Sequence, residues 1–526
     1  MNIKELFELF PQLNNKLSSQ LNQQLNQQLN HRLNHGLNSI KKLNVHPSLM
    51  GHKIKNLTSS SREEQKKSVY FAFKGSREDG HFYISEVISK GVLALVIEDE
   101  SKIPKGCSLP IMIVPDARNA FDFISSKFFH QSDQKLYTVG VTGTNGKTSI
   151  TYIAEYIFKN LNLPLGVIGT INHRLGAKTW DTELTTPDSW TLHKRLHDFY
   201  KLQAAGVVLE VSSHALDQKR VNSLNFDAVI FTNLTRDHLD YHKTMGAYFR
   251  AKQVLFWDQM WKSVKTNKMA IINGDDSFGK KLKIANGVDK IYFGMNQTND
   301  YSFKILNRNY YGQDIELKYK KTSWKFHVPL IGDHSIYNLI PVLILGEKNS
   351  ISVKKSMEAF KKFPGVPGRL QKVENKRKLN IFIDYAHTPD ALQKVLNTLI
   401  SIKIKNNLKN KIVCLFGCGG DRDKGKRPLM GKLAEKLSDI MIITSDNPRN
   451  EDPKQIIEDI CKGLKKRNTL NVIVEVDRAQ AIKKGIEMLS PKDVLIICGK
   501  GHENYQVIGS QKKYFSDYDE VLKNIN

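Results

Sequence analysis

A glycine-rich run over residues 140–148, Gly-Val-Thr-Gly-Thr-Asn-Gly-Lys-Thr, has residue types and spacing suited to binding phosphate groups. Glycines allow backbone N–H groups to close around phosphate oxygens, and a helix that begins at Lys147 directs its positive end at them. In such loops the lysine contacts the β- and γ-phosphates and the Thr148 hydroxyl binds Mg²⁺, although Val141 stands where the strict pattern has its first glycine. The run therefore predicts an ATP site, with contacts from Gly143, Thr144, Asn145, Gly146, Lys147, Thr148 and Ser149.

Two further polar strings follow predicted strands near this loop. The first runs from Glu210 to His214, and the second ends at Asp237 and His238. A carboxylate and an imidazole at strand ends beside a phosphate loop are well placed to bind Mg²⁺. We favour this metal role for Glu210 and His238, whereas packing at a helix cap explains His214 equally well.

Four polar strings each follow a strand in the last third of the chain. They are Asp-Tyr-Ala-His at 384–387, Gly-Cys-Gly-Gly-Asp-Arg-Asp at 417–423, Asp-Asn-Pro-Arg at 446–449 and Gly-Lys-Gly-His-Glu at 499–503. In a doubly wound sheet the carboxyl ends of the strands share one edge, so the strings should meet in one crevice. The guanidinium groups of Arg422 and Arg449 suit a carboxylate, and Glu503 suits an ammonium group. Together they predict a pocket for an amino acid.

Short apolar runs that alternate with helical patterns are expected to position these residues. After Lys147 the apolar residues fall at helical spacing. The predicted strands are 69–73 and 93–97, then 136–141, 206–211, 228–233 and 269–273, and finally 381–384, 412–416, 440–444, 472–476 and 494–498. This alternation predicts parallel, doubly wound sheets.

The predicted fold class is α/β, with three domains that follow an extension. We assign residues 1–50 to a low-complexity Leu/Asn-rich extension, 51–134 to a small mixed α/β domain, 135–364 to a central P-loop-type ATPase domain with a mostly parallel sheet, and 365–526 to a Rossmann-like doubly wound domain. Leucine recurs at every fourth position from Leu13 to Leu37, and such a repeat drifts by about 40° per step around a helix. It cannot form a straight coiled-coil seam, and we assign it no chemistry. Gly365–Gly368 is the predicted hinge between the last two domains.

Composition limits the class of protein further. The chain has no apolar stretch of the roughly 18–20 residues that a membrane span needs and no secretory signal pattern, so we expect a cytoplasmic protein without membrane insertion. Five cysteines without a CxxC pair argue against a disulfide framework or a zinc site. The net charge of +26 raises the alternative of a nucleic-acid-binding ATPase, but the basic residues are spread along the chain. We therefore expect no nucleic-acid partner.

From about residue 54 to the end, the sequence resembles the Mur ligase family of peptidoglycan synthesis. The resemblance rests on VTGTNGKTS, LTTPDS, EVSSHALDQKRV, TNLTRDHLDYH, AK at 251–252, GVPGRLQ, DYAHTPDAL, GCGGDRDKGKRP, SDNPRNEDP and GKGHENYQ. It implies an enzyme of cell-wall precursor synthesis that uses ATP and Mg²⁺ to phosphorylate the D-glutamyl γ-carboxylate of UDP-MurNAc-L-Ala-D-Glu. An amine of meso-2,6-diaminopimelate then attacks the acyl phosphate, and a tetrahedral intermediate collapses to the amide. We expect a monomer.

The resemblance also implies roles for individual residues. Lys252 matches the family's carbamylated lysine, which holds a second Mg²⁺, so Lys147, Lys252, Glu210 and His238 are the expected catalytic residues. The uridine nucleotide would contact Ser61, Ser76, Arg77 and Glu78, and the muramyl dipeptide would contact Thr185, Thr186, Ser212, Gln218 and Arg220. The adenine, ribose and phosphates of ATP would contact Asn338, Arg369 and Asp384. The diaminopimelate pocket would comprise Arg422, Asp446, Asn447, Pro448, Arg449, Gly499 and Glu503.

Two alternatives remain within the same superfamily. A lysine-adding ligase is disfavoured by Arg449, because lysine lacks the second carboxylate that an arginine fork would bind. A ligase that adds glutamate to folate is disfavoured by the DNPR, EVSSHAL and GCGGDRDKG strings and would not need a separate uridine-binding domain. Ser60-Ser61-Arg62 stands where the family usually has Asp-Ser-Arg, so the local uridine contacts are less well defined than the domain itself.

Overall fold

A computed structural model describes residues 1–10, 41–44, 46–75, 78–465 and 470–525. The chain divides into two compact units: Met1–Thr151 with Asn162–Ile291, and Tyr152–Leu161 with Tyr292–Asn526. Within the described ranges, no helix is long and apolar enough to cross a membrane. The leucine repeat from Leu13 to Leu37 and the predicted uridine contacts Ser76 and Arg77 lie outside the described residues.

The first unit begins with a small α/β domain. In its described part the strand order is β1-β5-β4-β3-β2, parallel except where β1 pairs antiparallel with β5. The strands are β1 (Lys41–Leu43), β2 (Asn56–Thr58), β3 (Ser68–Phe71), β4 (Ala94–Ile97) and β5 (Ile111–Ile113). The helices are α1 (residues 3–10), α2 (Pro47–Met50), α3 (Ile84–Ser89) and α4 (Ala117–Phe128), with short 3-10 turns at Gly80–Tyr83, Glu100–Lys102 and Ser132–Lys135.

Helix α1 packs into the core of this domain. Its apolar residues Ile3, Leu6, Phe7 and Phe10 are buried against the sheet and α4. On the far side of the undescribed segment, Lys42 of β1 donates from Nζ to the carbonyl oxygen of Phe7 at 3.2 Å. Residues 1–10 and 41–44, which lie within the predicted extension over 1–50, therefore pack with the first domain. Burial of the apolar face of α1 is the physical reason for this packing.

The rest of the first unit is a mostly parallel sheet with flanking helices. Its strands lie in the order β12-β11-β6-β10-β7-β8-β9, parallel from β12 to β7 and antiparallel beyond. The strands are β6 (Tyr137–Thr142), β7 (Leu165–Ile168), β8 (His173–Leu175), β9 (Lys178–Trp180), β10 (Gly206–Glu210), β11 (Ala228–Phe231) and β12 (Met269–Asn273). The helices are α5 (Lys147–Asn160), α6 (Ser189–Lys201), α7 (Ser213–Asp217), α8 (Leu239–His242), α9 (Met245–Val254) and α10 (Met260–Lys262), with a π-helical turn at Leu255–Gln259 and a 3-10 turn at Gly279–Lys281. Of helix α5, residues 152–160 are assigned to the second unit.

In the second unit an antiparallel meander precedes a parallel sheet. The six described strands of that sheet lie in the order β17-β18-β22-β19-β20-β21, and only β17 is antiparallel to its neighbour. The strands are β13 (Asp289–Gly294), β14 (Tyr301–Asn309), β15 (Gly312–Tyr319), β16 (Thr322–Val328), β17 (Gln371–Lys372), β18 (Asn380–Asp384), β19 (Ile412–Phe416), β20 (Ile440–Ile443), β21 (Val472–Val474), β22 (Val494–Cys498), β23 (Tyr505–Ile508) and β24 (Gln511–Tyr514). The helices are α11 (Asp333–Lys348), α12 (Val353–Phe360), α13 (Pro389–Lys405), α14 (Lys426–Leu437), α15 (Pro453–Cys461), α16 (Arg478–Glu487) and α17 (Asp517–Ile525).

The predicted α/β class with mostly parallel sheets is confirmed. Apolar cores cover both faces of the last sheet, which is why its strands read as continuous apolar runs. The hairpin of β23 and β24 follows the last parallel strand and pairs antiparallel. It lies directly after the last of the four polar strings, and so it flanks their shared edge.

Candidate active site

The phosphate loop, residues 143–146, connects β6 to α5. Gly143 and Gly146 have φ values of 141° and 90°, a backbone conformation that residues with a side chain rarely adopt. A Cβ atom at Gly143 would lie 1.9 Å from Oγ1 of Thr232. The loop backbone therefore packs directly against the segment that follows β11, and α5 begins at Lys147, as a phosphate site requires.

Hydrogen bonds to that neighbouring segment fix the loop. The N–H of Thr144 donates to the carbonyl of Asn233 at 2.9 Å, and the N–H of Asn145 donates to Oδ1 of Asn233 at 3.0 Å. The hydroxyl of Thr232 donates to the carbonyl of Asn145 at 2.6 Å. The loop is thus held in one conformation by the protein itself, which lowers the cost of ordering it around a ligand.

Two lysine side chains meet at one carbonyl of the loop. Lys147 donates from Nζ to the carbonyls of Gly143 and Thr144, each at 2.9 Å. Lys252, on α9, donates from Nζ to the same Gly143 carbonyl at 2.9 Å, and its side chain is only 1% exposed. Burial, reinforced by the positive charge of Lys147, lowers the pKa of Lys252 well below its ordinary value. Both effects act against the charged form of the Lys252 amine.

Glu210, at the end of β10, has a buried carboxylate joined to the start of α5. Thr148 donates from Oγ1 to Oε2 of Glu210 at 3.0 Å. Thr170 donates from its N–H to Oε1 and from its hydroxyl to Oε2, both at 3.0 Å. A Cβ at Gly169 would lie 2.4 Å from Oε1, so glycine is required there to admit the carboxylate. Two of the predicted Mg²⁺ ligands, Thr148 and Glu210, are in direct contact.

His238 has different surroundings from those two ligands. It lies at φ 53°, immediately before α8, with Nε2 3.6 Å from Oδ2 of Asp237. Its ring lies 5.0 Å from that of His214 and 5.9 Å from that of Tyr248, between ring centres. Burial lowers the pKa of His238. In the described chain no group of three or more His, Cys, Asp or Glu side chains is arranged to hold a metal ion. The structure thus pairs Thr148 with Glu210 but does not join His238 to them.

The residues predicted to bind the dipeptide continue from the Glu210 network. The hydroxyls of Thr185 and Thr170 lie 3.0 Å apart. Thr186 donates from its hydroxyl to the carbonyl of Glu210 at 2.8 Å and accepts from the N–H of Ser212 at 3.0 Å. A continuous chain of hydrogen bonds therefore links Thr148, at the start of α5, to Thr185 and Ser212.

Arg220 and Gln218 adjoin the same threonines. Arg220 donates from Nη1 to the carbonyl of Thr186 at 2.7 Å and from Nε to Oε1 of Gln218 at 3.0 Å. All five predicted dipeptide contacts are thereby brought together within the first unit. Each of them is bonded to another member of the group or, for Thr185, to the Glu210 network.

The remaining uridine candidates lie in the small first domain. Ser61 is buried, and its carbonyl accepts from Nζ of Lys90 at 2.8 Å. Glu78 accepts at Oε2 from the hydroxyl of Tyr83 at 3.1 Å, and this hydrogen bond raises the pKa of Tyr83. Ser61 and Glu78 therefore have separate partners within the domain. Their role toward a nucleotide stays a prediction.

Three predicted ATP contacts belong to the second unit. Asp384 ends β18 and accepts from the N–H groups of Leu370 at 2.7 Å and Ala386 at 2.8 Å. Burial raises the pKa of the Asp384 carboxyl. The guanidinium of Arg369 lies over the ring of Tyr385, 5.2 Å from its centre, and Asn338 is buried on α11. Asp384 and Arg369 therefore lie close together, because Asp384 binds the N–H of the residue after Arg369 and Arg369 lies over the ring of the residue after Asp384.

The four polar strings of the second unit meet at one edge of its parallel sheet, as its topology predicts. The ring of Tyr385 lies 5.2 Å from that of His502. A Cβ at Gly420 would lie 1.9 Å from the carbonyl oxygen of Pro448, and a Cβ at Gly499 would lie 3.1 Å from Oδ2 of Asp446. Backbone from all four strings is therefore packed at van der Waals distance.

The predicted amino-acid ligands Arg449, Asn447 and Glu503 have fixed positions in this crevice. Arg449 donates from Nη1 to the carbonyl of Gly420 at 2.7 Å, and its backbone N–H donates to the carbonyl of Val507 on β23 at 3.0 Å. Asn447 donates from Nδ2 to Oε2 of Glu503 at 2.9 Å. Arg422 is exposed on the adjoining loop.

Sequence reasoning missed three residues of these sites. Thr170 holds Glu210, and Tyr248 contacts both Thr144, at 3.2 Å between hydroxyls, and Lys252, whose Nζ lies 4.7 Å from its ring centre. Neither Thr170 nor Tyr248 belongs to one of the polar strings that follow the strands, so the sequence pattern did not indicate a role for them. Lys500 is fully buried beside Asn447. It lies within the predicted string 499–503, so a signal for it did exist.

Comparison with known proteins identifies the family. The model of the Mur ligase middle domain matches residues 141–346, and the model of the Mur ligase glutamate ligase domain matches residues 368–501. The chain is 43% identical over 476 residues to a UDP-N-acetylmuramoyl-L-alanyl-D-glutamate–2,6-diaminopimelate ligase of Aquifex aeolicus (strain VF5), covering 90% of this chain and 94% of that one. It is 42% identical to the ligase of the same name from Lawsonia intracellularis (strain PHE/MN1-00), covering 88% and 94%.

Solved structures agree with these relatives. A structure of a UDP-N-acetylmuramoyl-L-alanyl-D-glutamate–2,6-diaminopimelate ligase matches with a TM-score of 0.66 and 32% identity, over 90% of this chain and 94% of that one. A MurF ligase from Thermotoga maritima in complex with ADP matches with a TM-score of 0.53 and 17% identity, over 91% and 98%, and shares the fold alone. With its phosphate loop, its strand-end strings and relatives that match over nine-tenths of its length, the chain belongs to the Mur ligase family.

Proposed function

We propose that this chain is an ATP-dependent ligase that joins meso-2,6-diaminopimelate to the D-glutamyl γ-carboxylate of UDP-MurNAc-L-Ala-D-Glu in peptidoglycan precursor synthesis. The observation that carries the proposal is the crevice of the second unit, where Arg449 and the Asn447–Glu503 pair are fixed by hydrogen bonds. An arginine fork suits the carboxylate that distinguishes diaminopimelate from lysine, and a carboxylate suits an ammonium. The names of the relatives from Aquifex aeolicus and Lawsonia intracellularis support the same substrate pair.

In this proposal the three parts of the chain divide the substrates between them. Residues 51–134 bind the uridine nucleotide, 135–364 bind ATP and the muramyl dipeptide, and 365–526 bind the amino acid, with Asn338, Arg369 and Asp384 completing the ATP contacts. We propose that the enzyme acts as a cytoplasmic monomer and needs no nucleic acid. The basic surface suits two anionic substrates that must be brought together.

The phosphate loop and Lys147 would bind the β- and γ-phosphates and offset charge on the phosphoryl group in transit. Thr148 and Glu210 fit Mg²⁺, because Mg²⁺ is typically held by one or two protein oxygens together with substrate phosphates, and these two side chains meet at 3.0 Å. His238 is the third proposed ligand. When bound, the ion neutralises charge that develops during phosphoryl transfer.

Lys252 is the proposed carbamylated lysine. Carbamylation joins a neutral amine to CO₂ with loss of one proton, and it converts a cation into an anion. Burial lowers the pKa of Lys252 and so works against its charged form, and the Lys147 ammonium that shares the Gly143 carbonyl would stabilise the carbamate formed beside it. The new carboxylate would be the protein's ligand for a second Mg²⁺.

The transfer step then needs an amine held against the acyl phosphate. We propose that Arg449 binds the distal carboxylate and that Glu503, oriented by Asn447, binds the ammonium at the same end of diaminopimelate. The other amino group remains free to lose its proton and attack the acyl carbon. The C–N bond forms as the bond from carbon to the phosphate oxygen breaks, and phosphate leaves.

Phosphate release tests the proposal. Purified protein with ATP, Mg²⁺ and UDP-MurNAc-L-Ala-D-Glu should release phosphate rapidly with meso-diaminopimelate and slowly with lysine or no amino acid. With ¹⁸O in the γ-carboxylate, one labelled oxygen should appear in the phosphate, because the acyl phosphate retains that oxygen. Release stimulated by DNA or RNA instead, or no dependence on the amino acid, would refute the proposal.

A further inference from the structure

Lys500 lies in the loop after β22, between two glycines of unusual conformation. Gly499 and Gly501 have φ values of 116° and 56°. A Cβ at Gly501 would lie 2.7 Å from Cβ of Tyr385, so the backbone on this side of Lys500 is packed against the string at 384–387. The side chain of Lys500 is 0% exposed, which deprives its ammonium group of water. A buried ammonium needs partners to offset that loss.

The partners of Lys500 are the polar residues proposed to receive the amino acid. Its Nζ donates to Oδ1 of Asn447 at 3.2 Å and to Oε2 of Glu503 at 3.5 Å. Oδ1 of Asp446 lies 3.7 Å from the same nitrogen. A single buried cation therefore connects the string at 446–449 to the string at 499–503.

These contacts also fix the orientation of the Asn447 amide. Its Oδ1 accepts from Lys500 and from the N–H of Val507 at 3.0 Å. With both donors on the oxygen side, the Nδ2 group faces Glu503 and donates to Oε2 at 2.9 Å. Lys500 thus acts on Glu503 twice, directly and through Asn447.

The carboxylates in contact with Lys500 outnumber its single ammonium group. Two carboxylates, Asp446 and Glu503, share this one ammonium, while Arg478, another buried cation nearby, is paired with both oxygens of Asp517. Oδ1 of Asp446 is buried and has no hydrogen-bond partner among the described residues. A cluster that served only the fold would be expected to satisfy this oxygen. Among the side chains in contact with Lys500, two carboxylates therefore share one ammonium group, and an incoming ammonium group would offset the second carboxylate.

We infer that Lys500 is a positioning residue for the incoming amino acid, one that holds Asn447 and Glu503 in the geometry that receives its ammonium group. It also offsets one of the two carboxylates, so that the pocket accepts one ammonium group rather than two. This inference rests on the proposed function, because the amino acid that it concerns is the substrate proposed there. Lys500 does not itself contact the reacting atoms.

Steady-state kinetics of Lys500→Met tests the role. The Michaelis constant for meso-diaminopimelate should rise at least about tenfold, since one partner of a buried, hydrogen-bonded charge pair is lost. The Michaelis constants for ATP and UDP-MurNAc-L-Ala-D-Glu should stay unchanged, and kcat at saturating diaminopimelate should fall much less than kcat/KM. Lys500→Arg, which keeps the charge, should restore part of the affinity. Lys512→Met is the matched control, because Lys512 lies exposed over the ring of Tyr505 and contacts neither Asn447 nor Glu503.

The outcomes separate the two proposals. A wild-type enzyme that does not use diaminopimelate would refute the proposed function and this inference with it. If the wild type is active and Lys500→Met leaves the Michaelis constant for diaminopimelate unchanged, the positioning role alone is refuted. The same holds if Lys500→Met raises the Michaelis constants for all three substrates equally. If Lys500→Met does not fold, Lys500→Gln, which can still donate to Asn447, takes its place. Failure of both to fold would assign the lysine to the fold and contradict the inference.

Discussion

Replacement of Arg449 by alanine should weaken the binding of diaminopimelate, while the backbone hydrogen bonds of the loop that carries the arginine remain available. The backbone of residue 449 is held independently of its side chain: the N–H donates to Val507 at 3.0 Å and the carbonyl accepts from the N–H of Gly509 at 2.7 Å. Among the described residues, the side chain makes one hydrogen bond, from Nη1 to the carbonyl of Gly420 at 2.7 Å. The other N–H groups of the guanidinium provide the fork that we assign to a carboxylate.

The magnitude follows from the interactions that the variant removes. A hydrogen bond to a charged group contributes about 1.5–3 kcal/mol, and the two of a fork do not add fully. A loss of about 3 kcal/mol corresponds to a weakening on the order of 100-fold in the Michaelis constant for diaminopimelate. Residue 449 has φ 52°, where alanine is strained, so Arg449→Asn, a residue that tolerates this conformation, is the second variant.

Kinetics with two amino acids separates the interpretations. We expect kcat/KM for diaminopimelate to fall in both variants, with kcat nearly retained, and the weaker use of lysine to change little, because lysine has no distal carboxylate. The ratio of the two specificity constants should therefore fall toward one. Unchanged kinetics with diaminopimelate, or an equal loss with lysine, would refute the role of Arg449.

Three further predictions concern other parts of the chain. Lys252→Arg, which cannot form a stable carbamate, should lower kcat by about 100-fold or more. The ¹³C signal of a carbamate formed from labelled bicarbonate should be present in the wild type and absent in the variant. A signal in both proteins would contradict the carbamylation of Lys252. A hydrogen bond from Arg427 lowers the pKa of Glu451 from 4.5 to about 2, so the stability that Glu451 contributes is present above pH 4.5 and is lost as the pH falls toward 2. In Glu451→Gln, a plot of Tm against pH should therefore lose this decline at acid pH. A variant with the same profile as the wild type would contradict this role of Glu451. Leu6→Ala should lower the free energy of unfolding by about 2–5 kcal/mol in denaturant titrations, whereas Glu8→Ala, exposed on the same helix, should have little effect; equal effects would argue against the burial of α1.

Much of the fold could be predicted because its strands are buried on both faces. Strands β12, β19 and β22 have the bounds that their apolar runs predict, and most other parallel strands differ by one or two residues. The antiparallel meander β14–β16 was not predicted, because its strands are partly exposed and carry polar residues among the apolar ones. Helix α1 was missed for another reason: eight residues beside a low-complexity repeat give too short an apolar pattern to separate from it.

The candidate site could be predicted where polar residues follow strands, and less well elsewhere. The strings at 417–423, 446–449 and 499–503 meet because parallel strands end at one edge, a property of the topology that the sequence pattern reveals. Thr170 and Tyr248 reach the site from a loop and from a helix face, where sequence spacing does not mark them. The buried state of Lys252 and Lys500 is equally hidden, since a lone lysine in a sequence most often lies in solvent.

A competition experiment tests the central claim most directly. The protein is given ATP, Mg²⁺, UDP-MurNAc-L-Ala-D-Glu and equal concentrations of meso-diaminopimelate and L-lysine in one reaction, and the nucleotide-linked products are identified by mass. We expect the diaminopimelate tripeptide to predominate strongly. Predominance of the lysine product, or consumption of ATP with neither tripeptide formed, would contradict the claim.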